Sequence, residues 1–476
     1  MQHTNDTSSE DSLEDWIQEE RVRAEARLLR NVSPPGALPG AIVASPSRSN
    51  PDYYYHWVRD SGIAVRAILG LYRSARALER QRYLRVLMEF VDFSRRIQST
   101  AVLHGTGLGE PKFTVDGEPY AGPWARPQDD GPAIRAIELT HLAFVLLDEG
   151  EHELVREKLY DGRLPICSAI KADLEYIARR WRETCFDVWE EVRGHHFFTQ
   201  VLERKALLRG AELATRLGDT GAAEWYLEQS RQMERALRLY WSPELQYIVA
   251  TCDRDPRSST PRSGLDSSVI IATLGGYSFD DQHYVESLYP VSHEHVLATI
   301  VAQERVFRSL YEINDPTRHI PGIAVGRYPQ DDYDGYRTGS VGNPWPSITL
   351  GFAMYYYKLV SCYRRSGAIA VTPTSLPFFH RLWPAGDGRR ALCREGEIRA
   401  GDPRFDETLA ALGRLGDTYL QRVRYHINPD GSMSEQMNRV TGFQQGACDL
   451  TMGYAAFLLA AQAREQLRSY QSWSPP

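Results

Sequence analysis

No stretch of this 476-residue chain approaches the roughly 18 consecutive apolar residues that a membrane span requires. The opening residues, MQHTNDTSSEDSLEDW, lack the basic start and apolar run of a secretory leader. As written, the chain is expected in the cytoplasm, and outside the cell if a leader was removed. Cysteine is scarce. Cys167, Cys185, Cys252, Cys362, Cys393 and Cys448 stand far apart, and no two form a C-x-x-C pair. This predicts reduced thiols and supports no metal or redox motif. His195 and His196 have no ligand-spaced partner, so neither a metal nor a cofactor is expected. Basic blocks are absent too: 55 Lys and Arg face 62 Asp and Glu, a formal net charge of −7. Such a balance argues against a nucleic-acid partner and favours solubility. Without a leader, the glycosylation triplets at Asn5 and Asn31 read as chance matches. Alternating strand patterns are scarce, and there is no repeat of solenoid period.

What the sequence has in plenty is helical periodicity. The composition, 42% hydrophobic and 25% charged, is that of a globular protein. Apolar positions recur at helical spacing over 12–32, 59–72, 78–97, 131–148, 154–180, 190–217, 222–240, 296–311, 345–363, 407–426 and 450–467. Length alone suggests about three domains, but no Pro/Ser-rich linker divides the chain. The expected organisation is one large all-α domain over 36–470. A segment over 1–35 precedes it, with a helix packing on it. Long irregular segments interrupt the helices at 36–55, 104–130, 251–265, 314–344 and 428–446. Loops of such length are often functional.

Those loops are rich in aromatics and charges. DYYYHWVRD sets Tyr53, Trp57, Arg59 and Asp60 together, and GLGEPKFTVDGEPYAGPWARPQDDGPAIRA carries Tyr120, Trp124, Arg126 and Asp130. A sugar offers apolar C–H faces, which suit aromatic rings, and hydroxyls, which suit guanidinium forks and carboxylates. A surface ion pair beside a hydrophobic anchor is the simpler reading of the first loop alone, and a structural loop with an exposed Trp is the alternative for the second. FDVWEEVRGHHFFTQ places Glu190 beside Glu191 and Trp189. A neighbouring acid, or burial against an indole, raises a carboxyl pKa as a general acid requires. The same acids would also suit the first turn of a helix. Glu435, in NPDGSMSEQM, is a second isolated acid, and Ser432 three residues before it makes a capping-box pattern. Two distant carboxylates on a helical scaffold with sugar-suited loops point to glycoside hydrolysis.

Six runs carry a more specific signal. VASPSRSNPDYYYHWVRDSG, GLGEPKF…GPWARPQDDGPAIRA, DVWEEVRGHHFF, RSGLDSSV, AVGRYPQDDY…GNPWP and DGSMSEQ…DLTMGYAA occur in order from Val43 to Ala456. In these runs the chain resembles the glucoamylases, family 15 of the glycoside hydrolases, in their fungal-type catalytic domain. The resemblance implies an (α/α)6 barrel with a pocket at one end, and release of β-D-glucose from the non-reducing ends of α-1,4-glucans by inversion. It implies that Glu190 is the general acid and Glu435 the general base, with Glu191 near the cleavage point. Arg59, Asp60 and Arg327 would grip the terminal glucose, Trp57 would wall its site, and Tyr53 would help place the water. Tyr120, Trp124, Arg126, Asp331 and Trp345 fall in pocket motifs, and Asp187 would support the acid from behind. An α-glucan is the implied partner, and the chain is expected to be a monomer without a starch-binding module.

The sequence departs from the family at three places. His56 replaces a small polar residue, Met437 stands where an aromatic is common, and the loop YDGYRTGSV over Tyr333–Val341 is longer, which would displace Asn343 and Trp345. That loop bears on the choice among maltose, dextrins, isomaltose and trehalose. A disaccharide phosphorylase is the competing enzyme class. A carboxylate such as Glu435 would repel its phosphate. A non-catalytic regulatory domain of the same fold is the other alternative, and it would lack the acid or the base.

Overall fold

The computed structural model describes residues 7–102, 105, 107–163, 168–257, 262–276, 287–382 and 394–471, leaving Cys167 and Cys393 outside. Its helices are α1 (Thr7–Arg30), α2 (Val58–Ser74), α3 (Ala77–Ser99), α4 (Asp130–Asp148), α5 (His152–Leu154), α6 (Ala169–Arg180), α7 (Phe197–Leu217) and α8 (Thr220–Arg238). They continue with α9 (Ser268–Gly276), α10 (Glu294–Leu310), α11 (Pro346–Ser366), α12 (Leu376–His380), α13 (Pro403–His426) and α14 (Thr451–Gln471). Strands are short: β1 (His56–Trp57), β2 (Lys112–Phe113), β3 (Cys185–Phe186), β4 (Arg193–His196), β5 (Trp241–Ser242), β6 (Tyr247–Ile248), β7 (Thr251–Cys252), β8 (Ala368–Val371), β9 (Gly396–Arg399), β10 (Gln436–Met437) and β11 (Gln444–Gln445). All strand pairings among the described residues are antiparallel.

The chain forms two compact units. One comprises Met1–Asn31, Ser45–Pro51 and Val301–Pro476; the other comprises Val32–Ala44 and Asp52–Ile300. In the second unit, α4 packs on α2, α6 and α7, and α7 packs on α8 and α9. Nearly every residue of α4 is buried, as expected of a helix with no polar face. Its charges are matched across the packing. Arg135 donates to Asp173 at 2.6 and 2.8 Å, and Glu138 accepts from Arg66 Nε at 2.7 Å. Gly218, in the left-handed region at φ 84°, ends α7, and the Asp219 side chain caps α8. That short turn makes α7 and α8 antiparallel neighbours.

In the other unit, α11 packs on α13 and α14, and α1 packs on α14. Pro346 opens α11 at a position that loses no hydrogen bond, and Gly367 closes it in the left-handed region. Tyr355, Tyr356 and Tyr357 are all buried. Tyr356 and Tyr419 both donate to Glu304, and Tyr357 donates to Asp417 at 2.6 Å.

Three expectations need correction. The helix expected over 190–217 begins only at Phe197, because 193–196 is a strand paired with β3. Glu190 is therefore not a first-turn acid. Glu435 opens no helix: it precedes β10, and the Ser432 hydroxyl donates to Asp430 instead of capping. The helix expected over 154–180 is interrupted: α5 runs into a π-helical turn that ends at Leu159, and α6 starts only at Ala169.

The close contact between α11 and α13 depends on Gly416. A Cβ there would lie 2.6 Å from a Tyr357 ring carbon. Gly416→Ala should therefore cost about 1–3 kcal/mol through overpacking, despite the better helix propensity of alanine. Urea unfolding checks this, and a stabilised variant would contradict it.

Candidate active site

Glu190 sits at the tip of the β3–β4 hairpin. Phe186 pairs with Arg193, the Asp187 N–H donates to the Val192 carbonyl at 2.9 Å, and Glu190 adopts φ +66°. A side chain is rarely found in that region without local support. Asp187 supplies it: its Oδ1 accepts from the Glu191 and Val192 amides at 2.7 and 2.9 Å. The RSGLDSSV run anchors the hairpin further. Arg262 pairs with Asp187 at 2.7 Å and with Glu191, and Asp266 accepts from the Trp189 indole at 2.9 and 3.0 Å. The two neighbours expected to act on Glu190 thus face other partners. Burial pushes the Asp266 carboxyl up to about 6, against the pull of Arg262.

The Glu190 carboxylate reaches a charged cluster at the start of α2. Its Oε1 accepts from Trp57 Nε1 at 2.8 Å, Arg59 Nη2 at 3.1 Å and Gln128 Nε2 at 3.1 Å. Oε2 takes no hydrogen bond among the described residues. Arg59 is buried, and its guanidinium also meets Gln128 Oε1 at 2.9 Å, Asp130 at 3.2 Å and Asp60 at 3.5 Å. These acids hold its pKa above the ordinary arginine value despite burial. Asp60 is pushed up to about 6, first by burial, with Arg59 opposing.

An aromatic wall stands beside this cluster. The β1–β2 pairing sets Trp57 opposite Lys112. The Lys112 ammonium then lies 4.1, 4.3, 4.2 and 3.9 Å from the ring centroids of Tyr55, Trp57, Tyr120 and Trp124. Such cation–π contacts strengthen when desolvated. Burial pushes Lys112 down to about 8, with the charge of Glu190 opposing. Tyr53 packs edge-on to Trp57, with ring centroids 5.4 Å apart. The Trp124 indole N–H has no hydrogen-bond partner among the described residues. Arg126 is committed internally. It pairs with Glu110 at 2.7 Å and donates to the Tyr120, Gly122 and Trp124 carbonyls, so it braces the loop rather than presenting its fork.

Sequence reasoning missed Lys112, Gln128, Arg262 and Asp266. Each lies in a quoted motif, yet only the pairing of distant segments reveals its contact. His56 has a structural task. Its Nδ1 accepts from the Ile42 amide, which fixes a neutral ring whose Nε2–H donates to Ser61 at 3.1 Å. Burial holds it down at about 3. His195 bonds Asp253 and the Arg182 carbonyl, and His196 bonds Thr251 and the Cys185 carbonyl. Among the described residues no three His, Cys, Asp or Glu side chains cluster as metal ligands would.

Glu435, in the other unit, is 1% exposed. Its amide donates to the Ala447 carbonyl at 2.8 Å, and its Oε2 accepts from the Tyr333 hydroxyl at 3.3 Å. Gly446, at φ 78°, closes the site: a Cβ there would fall 2.6 Å from that oxygen. The long loop over Tyr333–Val341 therefore contributes Tyr333 directly. Asn343 donates to Gln436 at 2.9 Å, and the Met437 amide donates to the Pro344 carbonyl at 2.8 Å. Arg327 is buried in a two-pronged pair with Asp331, with its guanidinium carbon 5.3 Å from the Tyr333 ring and 5.9 Å from the Trp345 ring. The structure thus groups Tyr53, Trp57, Arg59, Asp60, Tyr120, Trp124, Arg126, Asp187, Glu190 and Glu191 in one unit, and Arg327, Asp331, Trp345 and Glu435 in the other.

Residues 23–462 match the family described as Glycosyl hydrolases family 15. The glucoamylase of Blastobotrys adeninivorans is 36% identical over 459 residues, covering 94% of this chain and 71% of that protein. Glucoamylase 1 of Rhizopus oryzae is 34% identical, covering 95% and 71%. Among solved structures, the glucoamylase from Saccharomycopsis fibuligera superposes with a TM-score of 0.86 at 30% identity, covering 96% of both chains. The family 15 glucoamylase from Hypocrea jecorina gives a TM-score of 0.83 at 30% identity, covering 96% of this chain and 73% of that one. The all-α, (α/α)6 fold implied by the sequence motifs is the fold of these structures.

Asp129, between Gln128 and Asp130 in the chain, is buried, accepts from Tyr176 at 2.8 Å, and is pushed up to about 6 by burial. Its folded value exceeds the ordinary value of 3.8. The fold therefore keeps a proton that the unfolded chain releases, and stability falls as pH rises from about 4 to about 6. Asp129→Asn should remove this contribution and flatten the Tm–pH curve across that window. Parallel curves for the two proteins would contradict it.

Proposed function

The chain belongs to glycosyl hydrolase family 15 and is a glucan 1,4-α-glucosidase, and on that premise we propose how its own residues divide the work. Glu190 is the general acid. The observation that carries this is the triple hydrogen bonding of Oε1 by Trp57, Arg59 and Gln128. With those donors in place the acid's proton resides on Oε2, which then faces the leaving glycosidic oxygen. Once the proton has gone, the same three N–H groups hold the carboxylate. They are in position beforehand, so the charge develops without reorganisation.

Glu435 is the general base. It is buried in a cleft of backbone and tyrosine, and the Tyr333 hydroxyl orients one of its oxygens. The remaining oxygen activates water for attack on the anomeric carbon, which inverts the configuration and releases β-D-glucose. Asp60 and the Trp124 indole N–H meet hydroxyls of the terminal sugar, while Trp57 and Tyr53 cover its apolar face. Tyr120 walls this site with Trp57, and Arg327 and Asp331 together form a rigid polar patch beside Trp345. Glu191 is held by Arg262 near the cleavage point. Asp187 and Arg126 act through the loops they brace.

Cleavage of maltose needs a proton on the leaving oxygen, whereas α-glucosyl fluoride leaves without one. Glu190→Gln should therefore abolish maltose hydrolysis, by roughly 10²–10⁴-fold, and spare the fluoride. Glu435→Gln should impair both. Proton NMR should detect β-glucose first. Initial α-glucose, or equal turnover of maltose by Glu190→Gln, would overturn the assignment.

Gly446 offers a test of the base alone. A methyl group at 446 would displace the Glu435 carboxylate, so Gly446→Ala should lower kcat for maltose and for the fluoride alike. The expected loss is at least 10²-fold, since misplacement by about 1 Å costs that much. Unchanged kcat for both substrates would disprove the close approach.

A further inference from the structure

One cavity is lined by none of the candidate active-site residues. It measures about 410 Å³ and sits among α11, α13 and α14, within the usual size range of small-molecule sites. Its lining is charged unevenly: Arg364, Arg414, Arg464 and Arg468 face only Asp406 and Asp417. Arg464 is consumed by Asp417 at 2.7 Å and Glu14 at 2.6 Å, and Glu14 also accepts from Arg468. Arg364 reaches no carboxylate among the described residues; its Nη1 donates to the Leu467 carbonyl at 3.0 Å. Burial lowers its pKa, and only the more distant Asp406 opposes this. Arg414 has no ion pair among the described residues. Val360, Leu409 and Leu467 add apolar surface.

A glycine opens this cavity. Of the two mid-helix glycines of α13, Gly416 lies under the Tyr357 ring, but a Cβ on Gly413 would meet nothing within 4 Å. Packing thus gives no reason for glycine at 413, where helix propensity opposes it. A side chain there would project into the cavity that Gly413 lines.

We propose that this cavity binds a small phosphate monoester, its phosphate held by Arg364, Arg414 and the Nη2 of Arg468, whose Nη1 stays on Glu14, and its organic part lying against Val360, Leu409 and Leu467. Guanidinium forks suit phosphate oxygens, and three of them match a phosphate better than a carboxylate with only two oxygens. The site is remote from the proposed base. α14 starts at Thr451, just after the Glu435 hairpin, and Arg464 lies about 20 Å further along its axis. An occupant would therefore not compete with substrate at Glu435.

Calorimetric titration of the full chain with glucose 6-phosphate, and separately with inorganic phosphate, tests this. The ester should bind saturably at one site, more tightly than inorganic phosphate. Arg414→Ala and Gly413→Met should each weaken ester binding at least tenfold, while ester-free maltose hydrolysis stays at the wild-type rate. Arg414 is exposed, so its truncation leaves the fold intact even if Gly413→Met does not fold. Absence of saturable binding, equal affinity for inorganic phosphate, or ester binding unchanged in Arg414→Ala would each overturn the proposal.

Discussion

Arg59 is a buried cation that must be balanced where it stands. Removing an arginine from water costs several kcal/mol unless carboxylates and good hydrogen bonds compensate it. Here Asp60, Asp130, Glu190 and Gln128 do so together. The consequence is mechanical as much as electrostatic. Arg59 lies in the first turn of α2, Asp130 opens α4, and Glu190 tips a hairpin. One guanidinium thus fixes the start of two helices and the position of the reactive carboxylate. The core pairs Arg66–Glu138 and Arg135–Asp173 extend the same logic along α4. Truncating any one partner would strand an opposite charge in the interior.

Glu435 is held by a different means. Close-approaching backbone packs against it: Gly446 at the carboxylate, Gly335 against Gly446, and the Ala447 carbonyl on its own amide. The left-handed φ values of Gly335 and Gly446 permit this packing. The Tyr333 hydroxyl, donating to Oε2, orients the Glu435 carboxylate. The acid, which must shed a proton and remain charged, gains from Trp57, Arg59 and Gln128.

Much of the helical scaffold was legible because amphipathic periodicity and caps are local. α3, α8, α11 and α13 begin and end within a few residues of their patterns, and Gly218, Asp219 and Pro346 mark boundaries by known chemistry. The site residues were named through motif resemblance, not through periodicity. Where local reasoning failed, the cause was non-local pairing. Residues 190–196 carry a helix-like pattern, but strand pairing with Cys185 and Phe186 overrides it. Ser432 and Glu435 have capping-box spacing, yet β10 follows instead of a helix. Lys112 gave no signal in the sequence, and only the pairing of β2 with β1 brings four rings around it. Arg126 resembles a ligand-gripping arginine until Glu110 and three carbonyls occupy it.

Both reactive carboxylates stand on short hairpins, each preceding a long helix: β3–β4 before α7, and β10–β11 before α14. This arrangement follows from what a helix cannot do. On a helix, a side chain's direction is set by the 3.6-residue turn and is shared with the residues three and four away. Neighbouring acids such as Glu190 and Glu191 would then splay by about 100° into fixed directions. At the hairpin tip, φ +66° at Glu190 turns its carboxylate toward Arg59 while Glu191 turns to Arg262. Strand pairing pins the hairpin's base, and Asp187 pins its tip. The helices supply rigidity, and the hairpins supply directions that helical geometry forbids, so each carboxylate can be placed independently of the residue beside it.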